Sequence, residues 1–259
     1  MLPSLEAIAT LFERAEILES EGTVRGYVGE QHVTVALKAW PYGSSTMRGT
    51  EARAAVPEDL VLWVRQRTKR CERWLKEGLA VDIRVGDEQF DAAFMVEAAP
   101  AWMARELFGD EEIRRGLLAL EAGEPRNRPN EDGIVLGRPG DLLVSNRVTD
   151  DAPRTFTVTI SGWVKDAESA ALLVRTTARL GKVGAEIARL GRTHDAPGYR
   201  GDVASGRRQR DEDEVREMML RLAKREKQGA KMAWIVAGVV ILLLALVVVG
   251  MWLGIEYLK

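Results

Sequence analysis

The sequence predicts an α+β domain with antiparallel strands and packed helices, followed by a linker and one C-terminal transmembrane helix. Short runs that alternate apolar and polar residues, typical of strands, are separated by turn-forming residues. Segments with apolar residues three and four apart, typical of helices, lie between and after these runs. One apolar run without a charge lies near the end of the chain.

The first fifty residues predict a helix, a hairpin and a loop. Residues 3–20 carry apolar side chains largely on one side of a helix, and Gly22 ends it. Two runs, at 24–28 and 33–38, predict a β-hairpin because the second alternates in the strand period. Residues 41–50 are rich in turn formers and predict a loop.

The next segment predicts strands at 51–56 and 60–65, a short helix at 68–77 and a strand at 92–98. A single helix over 58–77 is the competing interpretation, because this stretch has an acidic start, a basic end and a glycine stop. Gly86-Asp87 is a turn signal before the last of these strands.

The remainder of the domain predicts further helices and strands, with a boundary at residue 191. We expect helices at 101–108 and 111–122, a loop at 125–132, and strands at 134–136, 142–146 and 154–162. Asp166 then caps a long helix that Gly191 ends. Its apolar stripe fits packing on the sheet, and a coiled-coil partner is the alternative.

Residues 192–210 predict a flexible linker, and residues 211–232 predict an amphipathic juxtamembrane helix. The linker is rich in Gly, Asp and Arg and poor in large apolar residues. The helix carries one narrow apolar stripe, formed by Val215, Met218, Met219 and Leu222. We therefore expect residues 1–191 to form one domain that the linker leaves free to move beside the membrane.

The span Ala233–Ile255 predicts the transmembrane helix. Its 23 residues contain no charge, and at about 1.5 Å per residue they cover roughly 35 Å, enough for a bilayer core of about 30 Å. Aromatic residues mark its two ends: Trp234 at the first, and Trp252 with Tyr257 at the second. Gly250 and Gly254 form a small-x-x-x-small pair that permits helix pairing, and hence a homodimer, although such pairs also arise by chance.

Basic residues place the N-terminal domain in the cytoplasm. Lys227 and Lys231 belong to a group of six cations in the twenty residues before the span, whereas only Lys259 follows it. We expect a tail-anchored, single-pass protein of the inner (cytoplasmic) membrane, because the N-terminus lacks the pattern of a signal peptide. The lone cysteine fits a reducing compartment. The abundance of Arg, Ala and Gly is typical of a GC-rich bacterial genome.

Basic residues near the span also predict contact with the bilayer. Two groups of cations can contact anionic phospholipid: Arg207, Arg208 and Arg210, and then Lys224, Arg225, Lys227 and Lys231. The acidic block at 211–214 weakens the first group more than the second. The near-neutral net charge of −2 argues against a nucleic-acid partner.

Two segments, Gly22–Gly26 with the strand after it and Gly86–Phe94, together resemble an uncharacterised family of bacterial membrane-linked proteins, classed as a domain of unknown function. The first is Gly22-Thr23-Val24-Arg25-Gly26 with strand Val33–Lys38. The second is the GD-x-x-FD-x-x-F strand motif of residues 86–94, followed by a helix and then a leucine-rich helix. The resemblance covers about residues 20–190. It implies an α+β domain beside a membrane helix and carries over no activity and no catalytic residue.

Residues with chemical potential form no catalytic or metal constellation in the sequence. Asp87, Glu88 and Asp91 lack the ligand spacing of an EF-hand and fit a turn with a solvated strand end. Cys71 follows two basic residues that could lower its pKa, but a surface or half-buried thiol is the simpler interpretation. His32 and His194 have no ligand partners in sequence. We therefore expect no metal and no cofactor.

These observations favour a function in protein interaction or scaffolding at the membrane, with the bilayer and cytoplasmic proteins as partners. The alternative is a membrane-anchored enzyme whose site is assembled from residues scattered in sequence. No Walker loop, no G-x-G-x-x-G and no G-x-S-x-G pattern occurs in the sequence.

Overall fold

The computed structural model describes residues 5–42, 45–55, 60–123, 143–145, 155–161, 164, 166–194, 213–225 and 227. Within these residues the strands form one eight-stranded sheet in the order β1-β2-β3-β4-β8-β7-β5-β6. Its neighbouring strands pair antiparallel throughout. The predicted α+β class with antiparallel strands and packed helices is confirmed.

The strands are β1 Glu13–Leu18, β2 Thr23–Val28, β3 Gln31–Tyr42, β4 Ser45–Ala55, β5 Val61–Gln66, β6 Phe94–Ala99, β7 Leu143–Ser145 and β8 Thr155–Ser161. The helices are α1 Leu5–Ala9, α2 Lys69–Lys76, α3 Glu88–Ala93, α4 Ala101–Gly109, α5 Glu111–Gly123 and α6 Ala167–His194. A 3₁₀ turn at Glu19–Glu21 joins β1 to β2. Residues 213–225 form one more helix, which we call α7.

The two faces of the sheet differ in what covers them. Side chains alternate along each strand, so Ala52, Val64 and Val158 point to one face, and all three are buried in the main core. We call this the inner face. It is covered by α1, α4, α5 and α6, whose apolar side chains join the same core. The opposite, outer face is covered at β5 and β6 by α2 and α7.

Aromatic packing fixes the start of β6 against the inner helices. Phe90, Phe94 and Phe108 are each at most 1 % exposed. The ring centroid of Phe90 lies 4.9 Å from that of Phe94 and 5.3 Å from that of Phe108. These distances lie in the favourable range for aromatic pairs, and the cluster holds β6 in a defined position.

The prediction of one helix over 3–20 is wrong. The helix ends at Ala9, and Glu13–Leu18 is an edge strand paired antiparallel with β2. Only the first part of the apolar pattern is used, since Ile8 and Phe12 are buried whereas residues 13–16 are exposed. Strand pairing there satisfies the backbone, and this overrides the helical pattern.

The prediction of a loop over 41–50 is also wrong. β3 runs to Tyr42 and β4 starts at Ser45, with Tyr42 opposite Ser45 in the ladder. The two arms of this hairpin therefore continue to Tyr42 and Ser45, because cross-strand pairing outweighs the low strand propensity of Gly and Ser. The strand expected at 51–56 is the second half of β4.

Other elements agree closely with the sequence pattern. The β2–β3 hairpin turns at Gly29, whose φ of +58° suits glycine. Strand β5 and helix α2 occur as separate elements, which excludes a single helix over 58–77. Asp166 caps α6 by accepting a hydrogen bond from the backbone N–H of Ser169 at 2.7 Å. That helix continues to His194, past the expected stop at Gly191.

Several predicted elements lie outside the described residues. These are the loop at 125–132, the strand at 134–136, most of the linker at 195–210 and the span Ala233–Ile255. Among the helices that are described, none is long and apolar enough to cross a membrane.

Candidate interaction site

The outer face of β5 and β6 holds the helix that precedes the predicted transmembrane span. Trp63 on β5 and Glu97 on β6 are direct neighbours in the ladder, and their side chains point away from the main core. Helix α2 flanks this face and brings Trp74 to it. Helix α7 packs on the same face and contributes Arg225.

The centre of the site is an ion pair between Arg225 and Glu97. Two guanidinium nitrogens of Arg225 each donate to a different carboxylate oxygen of Glu97, and both distances are 2.7 Å. The two side chains are only 6 % and 3 % exposed. A bidentate, charge-assisted pair of this kind is strong and geometrically specific. Removal of either member is strongly destabilising, because the other charge would stay buried without its partner.

Two tryptophans surround the guanidinium of Arg225. Its central carbon lies 4.9 Å from the ring centroid of Trp74 and 5.9 Å from that of Trp63. Arg65 lies over the same two rings, at 4.8 Å from Trp74 and 4.3 Å from Trp63. Cations at these distances are attracted by the negative ring faces. The site is therefore an aromatic cage in which Trp63 and Trp74 contact the guanidinium groups of both Arg225 and Arg65, and Glu97 pairs with Arg225.

A small apolar cluster extends the contact along α7. Met218 is 1 % exposed and packs against Val61 and Ala99, and Val215 and Leu222 pack at its edge. At the start of the helix, a carboxylate oxygen of Glu214 accepts a hydrogen bond from the backbone N–H of Ala101 at 3.0 Å. Helix α7 is thus attached to the domain over most of its length.

This attachment changes the role expected of the linker. Helix α6 packs on the inner face of the sheet and α7 on the outer face. The chain between His194 and Asp213 therefore joins two elements of the same domain, whatever its conformation. The stretch that separates the domain from the predicted span begins only after α7.

The described part of the chain includes Lys227, one of the five residues predicted to mark the membrane interface, and also Lys224 and Arg225 from the cations predicted to contact lipid. Lys227 is helical and exposed. The other predicted interface residues, Trp234, Trp252, Tyr257 and Lys231, lie outside the described residues. The same is true of the pair Gly250 and Gly254, and of Arg207, Arg208 and Arg210. Arg225, which was expected to contact lipid, is instead buried against Glu97.

The acidic group around Gly86 stabilises the local backbone. Asp87 caps α3 by accepting from the backbone N–H of Phe90 at 3.0 Å, and it pairs with Arg114 at 2.8 Å. These two interactions hold the pKa of the Asp87 carboxyl below its usual value of 3.8. Asp91 accepts from the backbone N–H groups of Val85 and Gly86 at 3.0 and 3.2 Å. The motif at residues 86–94 is thus a turn and short helix leading into β6, not one strand.

The remaining candidate residues are not gathered at one site. Glu88 is exposed. Cys71 is 2 % exposed, and its thiol lies 3.5 Å from the carbonyl oxygen of Gln66, so the expected surface or half-buried thiol is wrong. His32 contacts Tyr27 edge to face, while His194 is the last residue of α6. In the described residues, no group of three or more His, Cys, Asp or Glu could hold a metal ion.

Sequence reasoning missed the residues that form the cage. Glu97 is the one charged residue in the strand Phe94–Ala99, and a charge inside a buried strand needs a cationic partner. That signal indicates a buried ion pair but not its partner, because Arg225 is 128 residues away in sequence.

Comparison with protein-family models, with curated proteins and with solved structures finds no match. The resemblance to an uncharacterised bacterial membrane-linked family therefore stays a prediction.

Proposed function

We propose that the chain is a single-pass, C-terminally anchored membrane protein that presents a cytoplasmic α+β domain as an interaction or scaffolding module. In this proposal, residues 233–255 cross the inner membrane. Helix α7 joins the span to the domain, and the cage around Arg225 keeps the domain close to the bilayer. Cytoplasmic proteins are its partners.

The observation that carries the proposal is the buried ion pair between Arg225 and Glu97. Ala233 lies only eight residues after Arg225. A helical connection of that length covers about 12 Å, and a fully extended one covers at most about 29 Å. A domain attached at Arg225 would therefore stay within a short distance of the membrane surface. A fixed distance suits a module that has to meet partners at the membrane.

The anchor is tested by fractionation of the full chain and of a chain that ends at residue 232. We choose residue 232 because a shorter chain that lacks α7 would leave Glu97 without its partner. We expect the full chain to stay in membranes after alkaline carbonate extraction and the shortened chain to be recovered in the soluble fraction. A shortened chain that remains as firmly in the membrane fraction would contradict the anchor.

The orientation is tested by protease treatment of spheroplasts and of inverted vesicles. We expect cleavage of the domain in inverted vesicles and protection in spheroplasts, because the basic residues that precede the span favour the cytoplasmic side. Cleavage of the domain from outside spheroplasts would refute the orientation.

A further inference from the structure

Helix α7 has one face on the domain and one face in solvent. Met218 and Arg225 are buried against the sheet, at 1 % and 8 % exposed. A helix advances about 100° per residue, so Arg216, Leu220 and Lys227 lie on the opposite side. All three are exposed, Leu220 at 63 %. We call this side, with Met219, Ala223 and Lys224 beside it, the outward face of α7.

The outward face combines exposed apolar side chains with cations. Four large apolar side chains are strongly exposed in the described residues, and two of them are Met219 and Leu220. Arg216, Lys224 and Lys227 lie around them and are exposed as well. The combination of apolar and basic residues on one helix face is typical of a helix that lies in the headgroup region of a bilayer.

Acidic residues on α7 reduce this positive charge only in part. Glu217 is 70 % exposed, but it pairs with Arg221 at 2.7 Å. Glu214 is turned to the domain, where it accepts from the N–H of Ala101. Asp213 is the remaining described carboxylate and lies at the beginning of the helix, farthest from the span. The end nearer the span therefore carries the stronger positive charge.

We propose that the outward face of α7 lies on the membrane surface and binds the headgroups of anionic phospholipid. The inference rests on the proposed function, since the span at 233–255 is what brings α7 to the bilayer. Lys227 lies six residues before Ala233, so the face cannot be far from the headgroups. Leu220 and Met219 enter the boundary of the acyl region, while the long side chains of Lys224 and Lys227 reach the phosphates.

The structure also separates Arg225 from Lys224 and Lys227, with which the sequence pattern grouped it. Arg225 is held by Glu97 and is turned away from the outward face. Arg216, about three turns before Lys227, contributes the third cation of the outward face. Helix α7 thus contacts the domain with one side and the bilayer with the other.

The test uses the full chain in vesicles with a nitroxide label at position 220. The label is introduced through Leu220→Cys in a Cys71→Ala background. The matched control is Val81→Cys in the same background, because Val81 is similarly exposed, at 51 %, but lies between α2 and α3 and not on α7. Collision rates with oxygen and with a water-soluble nickel complex then report whether each label contacts lipid or water. Vesicles contain phosphatidylcholine alone or a mixture with phosphatidylglycerol.

We expect the label at 220 to contact lipid in the phosphatidylglycerol vesicles and the label at 81 to stay in water. Replacing both Lys224 and Lys227 with glutamine should lower the ratio of lipid-contacting to water-exposed label at 220 by about thirtyfold, because each cation contributes to binding an anionic surface. A label at 220 that stays in water in every vesicle would overturn the inference. The inference would also be overturned if the label at 220 lost its collisions with the nickel complex only after cytoplasmic protein was added. Lipid contact at 220 that the glutamine substitutions leave unchanged would overturn it as well.

Carbonate extraction of the same vesicles distinguishes this inference from the proposed function. A chain that resists extraction while the label at 220 stays in water refutes only the role of the outward face. A chain that carbonate removes refutes the anchor and the inference together.

Discussion

Replacing Arg225 with glutamine should detach α7 from the sheet and leave the rest of the domain folded. Glutamine and arginine have similar helix propensities, so the substitution acts mainly on the ion pair. It removes the bidentate partner of the buried Glu97, and removing one member of a buried ion pair costs about 3–5 kcal/mol. Met218 is the most deeply buried apolar side chain of α7, and its burial stabilises the docked helix by about 1.5–3 kcal/mol. Release of α7, which returns Glu97 to water, is therefore the less costly outcome.

Hydrogen exchange measured by mass spectrometry on the full chain checks this expectation. Backbone amides of residues 213–225 should exchange faster in Arg225→Gln, by about a hundredfold for a loss of about 3 kcal/mol. Amides of β2, β3 and α6 should keep their wild-type protection. Glu97→Gln should have the same effect, and the double variant should be little worse than either single variant, because both remove one interaction.

Arg221→Gln is the matched control for this prediction. Arg221 lies on the same helix and also pairs with a carboxylate, but its partner Glu217 is 70 % exposed. A pair of this spacing with one exposed member contributes about 0.3–0.5 kcal/mol, so α7 should stay attached. Unchanged protection of residues 213–225 in Arg225→Gln, or an equal loss in Arg221→Gln, would refute the reasoning.

Two further predictions concern the inner helices. Burial raises the pKa of Asp110, but hydrogen bonds from Arg179 and from a backbone N–H outweigh this effect and hold the pKa below 3.8. The stability that the Asp110 charge contributes is therefore present above pH 3.8 and is lost as the pH falls through the folded-state pKa. Asp110→Asn, which keeps a helix-capping side chain, should therefore lose less stability than the wild type on acidification below about pH 4 in urea titrations, and an identical pH dependence would contradict this. A Cβ at Gly116 would collide with the Thr176 side chain, whereas one at Gly109 would meet open space. Gly116→Ala should thus be less stable than Gly109→Ala by about 1–3 kcal/mol, and equal urea midpoints would show that α5 and α6 can separate freely.

Sequence patterns predicted those elements whose own residues show the apolar period of a strand or helix, or a helix cap. Strand β8 alternates clearly, and α6 has both an apolar stripe and the cap at Asp166. Strand β1 was missed because its six residues are mostly exposed, so no buried face marks its period. The start of β4 was missed because its pairing with β3, not its composition, makes it a strand.

The candidate site was harder to predict than the fold. Each half of the cage is visible in sequence only as an exception: Glu97 is a charge in an apolar strand, and Arg225 continues the apolar stripe of α7 one turn after Leu222. Neither exception specifies the other, because the contact closes a loop of more than a hundred residues. Packing of α7 on the outer face of β5 and β6 brings the two together.

Measuring the distance between the domain and the bilayer tests most directly whether α7 holds the domain at the membrane. A fluorophore at Val81 can transfer energy to acceptor lipids in vesicles that carry the full chain. We predict efficient transfer in the wild type and in Arg221→Gln, because α7 holds the domain within about 30 Å of the surface. Transfer should fall in Arg225→Gln, in which the released helix and the linker before it separate the domain from the span. Equal transfer in all three proteins would contradict the claim that the pair of Arg225 and Glu97 fixes the domain at the membrane.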